Sequence, residues 1–119
     1  MDLLETFKDS DDLADFPAGT VLMEEGAEGN EMYVVVEGQV RVTLKNHELA
    51  VAGPGEIVGE MALINSDIRS ATVVTLTDCR LAVIDQISFE ALLRHVPDFS
   101  SHVMGVLAGR LKNAFDLID

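Results

Sequence analysis

The sequence predicts a mainly β chain: a jelly roll, or double-stranded β-helix, followed by two C-terminal helices. From Leu13 to Ile84, short runs rich in Val, Leu and Ile are cut by glycine-bearing turns such as PAGT, EEGAEGN, VEGQ and AGPGE. About seven or eight strands at that spacing make a sandwich or barrel. After Asp85 the apolar period lengthens to three and four, which is helical. At 119 residues and 48% hydrophobic, the chain can bury a real core as one domain, 1–119. Its expected parts are an N-terminal segment (1–12), the β jelly roll (13–85) and the helices (86–119).

The opening segment, MDLLETFKDSDD, is polar, and a short helix with Leu3, Leu4 and Phe7 inward is one option for it. MYVVV is apolar throughout and predicts a strand buried on both faces. Glu37-Gly38 follows, then QVRVTL, and together these read as a hairpin. In QVRVTL, Val40, Val42 and Leu44 alternate with Gln39, Arg41 and Thr43, so one face is apolar and the other wet. LKNHE reads as a polar turn holding His47, and ELAVA, ATVVTL and RLAVI supply three further strands. ISFEALLRHV reads as a short helix capped near Ser88 and ended by Pro97. A longer helix is expected from Asp98 to about Ile118. Its residues Met104, Leu107, Leu111, Ala114 and Ile118 form a stripe that Val103 and Val106 widen. The stripe either packs the helix on the barrel, the favoured reading, or pairs it with a second copy as a homodimer. Tyr33 and the methionines read as core.

Eight Lys and Arg against twenty-one Asp and Glu give a formal net charge of −13. No window clusters positive charge, so direct DNA binding is not expected. No apolar run approaches the ~20 residues of a membrane span, and the acidic start lacks the basic opening of a secretory leader. A cytoplasmic protein is expected, with its single Cys79 a small buried apolar side chain. His47, His95 and His102 do not share a strand at ligand spacing, and no Ser, Cys or Lys has a nucleophile's neighbours. Neither a metal site nor an enzyme is therefore expected. The acidic shell repels small anions at long range, although salt screens such fields over about 8 Å. Any anion site must be a local device.

GEMALINSDIRSA, residues 59–71, has the makings of one. A short helix beginning near Glu60 leaves its first N–H groups unpaired and aligned with its dipole. Gly59 admits close approach to the backbone. Small Ala62 keeps the helix start open. Ionised Glu60 can only accept, so it suits a hydroxyl. Arg69 presents a planar fork of donors suited to phosphate, and Ser70 adds a hydroxyl. A ligand with one phosphate and one free hydroxyl fits this set. The plain alternative is that Arg69 pairs with a nearby carboxylate such as Asp67 while Glu60 faces water.

This stretch resembles the phosphate-binding cassette of the cyclic-nucleotide-binding domains of cAMP-dependent kinase regulatory subunits, nucleotide-regulated channels and catabolite-activator transcription factors. Their pattern is roughly Phe-Gly-Glu-x-Ala-Leu, a loop, then Arg-(Ala/Ser/Thr)-Ala. Gly59, Glu60, Ala62, Leu63, Arg69, Ser70 and Ala71 match it. FPAGTVLMEEG, MYVVVEGQVRV and AGPGEIVGE resemble the family's strands and turns, and FEALLRHVP and LAGRLKNAF its last helices, so the likeness runs from Phe16 to Phe115. Val58 stands where the family usually has an aromatic. Ile68 replaces a frequent proline or basic residue.

The resemblance implies a cyclic nucleotide, cAMP or else cGMP, as the ligand, with no other cofactor. The implied set is Gly59, Glu60, Met61, Ala62, Arg69, Ser70 and Ala71. In it Glu60 holds the ribose 2′-hydroxyl, while Arg69, Ser70 and the 59–62 amides hold the cyclic phosphate. Arg110 either lies over the purine or is a solvated arginine, and Phe115 either caps the base or belongs to the core. With no output domain before Asp119, the expected role is a regulatory sensor that relays binding to a separate protein effector through its C-terminal helix. A ligand-free interaction scaffold is the alternative.

Overall fold

Among the described residues of the computed structural model, eight antiparallel strands form two four-stranded sheets. The structure describes residues 1–66 and 68–118, the side chains of 65, 66 and 114–118 excepted. One sheet has the order β1 (Leu13–Phe16), β8 (Cys79–Asp85), β3 (Glu31–Glu37), β6 (Ile57–Val58). The other runs β2 (Val21–Met23), β7 (Thr72–Thr75), β4 (Val40–Leu44), β5 (His47–Ala52). Successive strands repeatedly change sheets, which is the jelly-roll arrangement expected from the sequence. Met32 to Val36 are all buried, as their unbroken apolar run requires. Val35, Val40, Val73 and Leu81 bring both sheets into one core.

The Glu37-Gly38 hairpin is corrected. β3 pairs with β8 and β6, whereas β4 pairs with β5 and β7, so the chain crosses between sheets there. Gly38 makes that corner with φ +91°, and a Cβ on it would press on Cys79 Sγ (2.7 Å) and Thr77 Oγ1 (2.8 Å) as well as the Asp78 carbonyl. The local hairpin is β4–β5. Its turn residues Lys45 and Asn46 both have positive φ, 51° and 68°, as a tight two-residue connection demands. His47 therefore opens a strand instead of sitting in the turn. The β4–β5 register slips between Val42 and Thr43. The N-terminal segment holds α1 (Leu3–Phe7), whose Glu5 N–H donates to Asp2 Oδ1 at 3.1 Å. Leu3 is buried there, and Leu4 and Phe7 are half-buried.

The chain divides into a β unit, Asp2–Gln86, and a helical unit from Ile87 onward. Helix α2 (Gln86–His95) starts two residues earlier than the expected cap, which leaves Ser88 inside its first turn. Pro97 does not merely follow α2; it opens α3 (Pro97–Ile118), where a missing N–H costs nothing. Phe89 and Phe99 meet edge to face, ring centres 5.9 Å apart. The expected stripe on α3 is also corrected. Val103 is buried and Val106 and Leu107 are half-buried, as expected, but Phe99 is the other buried position, and Met104 and Leu111 are 63% and 57% exposed. Ala114 and Ile118 have side chains outside the description. Tyr33, Met23 and Met32 are core, but Met1, Met61 and Met104 are exposed. Cys79 is buried in β8 as expected. Among the described residues, no helix is long and apolar enough to cross a membrane.

Candidate functional site

Residues 59–71 leave the edge of one sheet and enter the interior of the other. Strand β6 ends at Val58, and Ala71 leads into β7. Gly59 turns the chain with φ +86°. A Cβ there would lie 2.8 Å from Met23 Cε and 2.9 Å from Arg69 Nη1, so only glycine fits. A helical turn starts at Glu60, as expected, but it widens into a π-helix over Ala62–Ser66. Such turns are rare and concentrate at functional sites. The amide Nε2 of Gln86 donates to the Leu63 carbonyl at 3.2 Å and ties the turn to the end of β8.

Backbone groups hold Arg69 at both its main chain and its guanidinium. Its N–H donates to the Ala27 carbonyl at 2.7 Å, and its own carbonyl accepts from Gly26 N–H at 2.9 Å. Glu28 and Ile68 form an isolated bridge alongside. The side chain is 6% exposed, and Nη1 donates to the carbonyls of Glu31 (2.6 Å) and Gly59 (3.2 Å). Among the described residues the ion pairs are Lys8–Glu5, Arg41–Glu48 and Arg80–Asp15, and Arg69 is in none of them. Asp67, its expected alternative partner, lies outside the described residues. Glu60 is wholly buried, at 0% exposure, so the reading that it faces water is corrected. It sits next to Gly59, whose carbonyl holds the guanidinium.

A cavity of about 400 Å³ opens beside Arg69, lined among others by Met23, Glu28, Glu31 and Tyr33. Its size lies within the range of small-molecule sites. Burial pushes the Tyr33 phenol above its ordinary pKa; nearby Glu31 adds to the shift and Arg69 opposes it. The rim is thus acidic, with Glu24, Glu28 and Glu31 around the arginine. Among the described residues, no group of His, Cys, Asp and Glu is arranged to hold a metal ion.

The remaining expected residues are spread more widely. Ala62 is buried at 1%, Met61 is 38% exposed, Ser70 is exposed and Ala71 half-buried. Arg110 lies exposed on α3, in the helical unit. Phe115 has its side chain outside the described residues. What sequence reasoning missed is the turn of residues 24–30. EEGAEGN marked only a break between strands, yet this turn and the start of β3 supply the carbonyls of Ala27 and Glu31 that fix Arg69.

Comparison with known proteins converges on one family. A profile of the cyclic nucleotide-binding domain matches residues 13–96, more than half of the chain. The cyclic AMP receptor protein of Thermus thermophilus is 33% identical over 83% of this chain and 48% of its own. The crystal structure of the Thermus thermophilus catabolite activator protein superposes with a TM-score of 0.81, at 32% identity over 90% of this chain and 53% of that one. The EAL enzyme Bd1971, solved in a cAMP-bound form, aligns with a TM-score of 0.65 at 34% identity, covering 89% of this chain and 30% of its own. Its cGMP-bound form gives 0.65 at 32%, covering 83% and 27%. The chain spans about half or less of the length of the curated relatives it matches.

Proposed function

Because the chain belongs to the cyclic nucleotide-binding domain family, we propose that it is a sensor for a cyclic nucleotide, cAMP in preference to cGMP. Arg69 binds the cyclic phosphate together with Ser70, Ala71 and the main-chain donors of residues 59–62, and Glu60 accepts from the ribose 2′-hydroxyl. The role is binding and not catalysis. The preference for cAMP rests on the cyclic AMP receptor relative, while the two forms of Bd1971 mark cGMP as the nearest competitor.

One observation carries this reading. Arg69 is buried, hydrogen-bonded to two carbonyls, and outside every described ion pair. Desolvating an ion costs several kcal/mol, and neutral carbonyls return only part of that. A bound phosphate offsets the remainder through charge-assisted, two-pronged contacts. The same chemistry explains how a chain of net charge −13 can hold an anion. Binding is then relayed by a change in α3 that presents or hides a surface for a separate protein effector. The exposed Met104 and Leu111 on α3 are candidates for that surface or for a homodimer contact.

Calorimetric titration tests the reading. cAMP and cGMP are expected to release or absorb heat with the wild type, and Arg69→Ala is expected to abolish it. A wild type silent to both nucleotides would leave the scaffold alternative. Hydrogen exchange tests the relay, since residues 97–118 should change protection when nucleotide is added.

A further inference from the structure

Two glycines from different loops face the same guanidinium. Gly59 belongs to the cassette, but Gly29 lies in the turn between β2 and β3 and matches no part of the cassette pattern. A Cβ on Gly29 would run into Nε and Cζ of Arg69 and lie 2.6 Å from its Cδ. Gly29 does not have the left-handed φ that most often demands glycine. What requires glycine at this place is the space taken by the Arg69 stem.

We infer that Gly29 is a positioning residue for the anion site: its missing side chain is the slot in which the Arg69 stem lies, and that slot aims the guanidinium. The turn supplies the other half of the clamp. Ala27 and Gly26 fix the Arg69 backbone, and the Glu31 carbonyl holds Nη1 at 2.6 Å. With Nη1 occupied by the carbonyls of Glu31 and Gly59, Nε and Nη2 are the donors left to meet a phosphate. A methyl group at residue 29 lifts the stem, breaks this division and turns the fork away. The obstructed group is the end of a side chain and not backbone, so the collision is relieved by moving Arg69, at the expense of its hydrogen bonds to Glu31 and Gly59. Anion binding, which depends on sub-ångström placement of the fork, has no such latitude.

The inference rests on the proposed nucleotide site, and a double-mutant cycle separates the two. Wild type, Gly29→Ala, Arg69→Ala and the double variant are compared by cAMP and cGMP titration and by thermal melting. Gly29→Ala is expected to lower nucleotide affinity on the order of ten- to a hundredfold, the worth of one charge-assisted hydrogen bond. In the Arg69→Ala background the same change should move neither residual binding nor Tm. Should Gly29→Ala prove too unstable to titrate, removing Arg69 should restore the melt to that of Arg69→Ala alone. Wild-type affinity in Gly29→Ala overturns the role of Gly29 and leaves the nucleotide site standing. An equal fall in Tm in both backgrounds also overturns it, because the glycine would then serve the turn and not the arginine. A wild type that binds neither nucleotide overturns the nucleotide site, and the inference with it.

Discussion

Two corners of the β unit each combine a glycine with an arginine, and they use the pair in opposite ways. At the corner where β3 hands over to β4, Gly38 makes room for backbone, the Asp78 carbonyl. Arg80 nearby points outward and pairs with Asp15, Nε to Oδ1 at 2.8 Å, with both side chains largely in water. At the corner between β2 and β3, Gly29 makes room for a side chain, and Arg69 is buried against carbonyls. The first corner holds the chain's path, and its charge is already balanced. The second holds a charge that is hydrogen-bonded to main-chain carbonyls, with the carboxylates of Glu24, Glu28 and Glu31 further out on the rim. Burying a cation against neutral carbonyls costs stability, which is the reason the proposed anion site is assigned to this corner and not to the other.

The largest expected difference comes from replacing Arg69 with a side chain of similar length and no charge. Arg69→Met should reduce nucleotide affinity by about a hundredfold or more, since two charge-assisted contacts at ~1.5–3 kcal/mol each are lost. Its Tm should hold or rise, because a buried charge gives way to hydrocarbon. A steep fall in Tm with affinity retained would reverse the assignment of the two corners.

Next in size is Gly38→Ala. Its positive φ and its collision with backbone together should cost about 2–4 kcal/mol, read as a lower urea midpoint, with nucleotide affinity per folded molecule unchanged. Glu60→Gln follows. It keeps the shape but weakens the acceptor, and an affinity loss of about tenfold is expected, the worth of one hydrogen bond to a charged group. The loss should vanish with a 2′-deoxy cyclic nucleotide.

The smallest effect belongs to Asp15→Asn. Arg80 beside it holds the Asp15 carboxyl below the ordinary carboxylate range. A carboxyl with a depressed folded pKa contributes stability above its unfolded pKa and loses it as pH falls through the folded value. Urea midpoints of wild type and Asp15→Asn should therefore differ slightly near neutrality and converge in acid. The pair is exposed and screened, so the difference should also shrink in salt.

How legible each corner was follows from how local its causes are. MYVVV announced a buried strand because apolarity on both faces belongs to the run itself, and Met32–Val36 are buried. Glu37-Gly38 looked like a hairpin because a glycine turn carries no information about which strands its neighbours pair with. Gly59, Glu60 and Arg69 could be picked out because they lie within one short segment. Gly29 could not, since the side chain that needs its space sits at the far end of four intervening strands. The stripe on α3 was read by spacing alone. Spacing shows that a helix has an apolar side, and it included the covered Val103, but it missed Phe99 and centred the stripe on the exposed Met104 and Leu111.

The position of β8 between β1 and β3 bears on how the barrel assembles. The first strand finds its hydrogen-bond partner only when the last has been made, because Leu13 faces Ala82 and Phe16 faces Cys79. A nascent chain leaving the ribosome therefore carries β1 and much of β3 as open edges until residue 85 emerges, and closure joins segments most of the barrel's length apart. Folding dominated by such distant pairings is slow, on the scale of milliseconds to seconds. Through that interval the unbroken Met32–Val36 run is the segment most in need of protection from other chains.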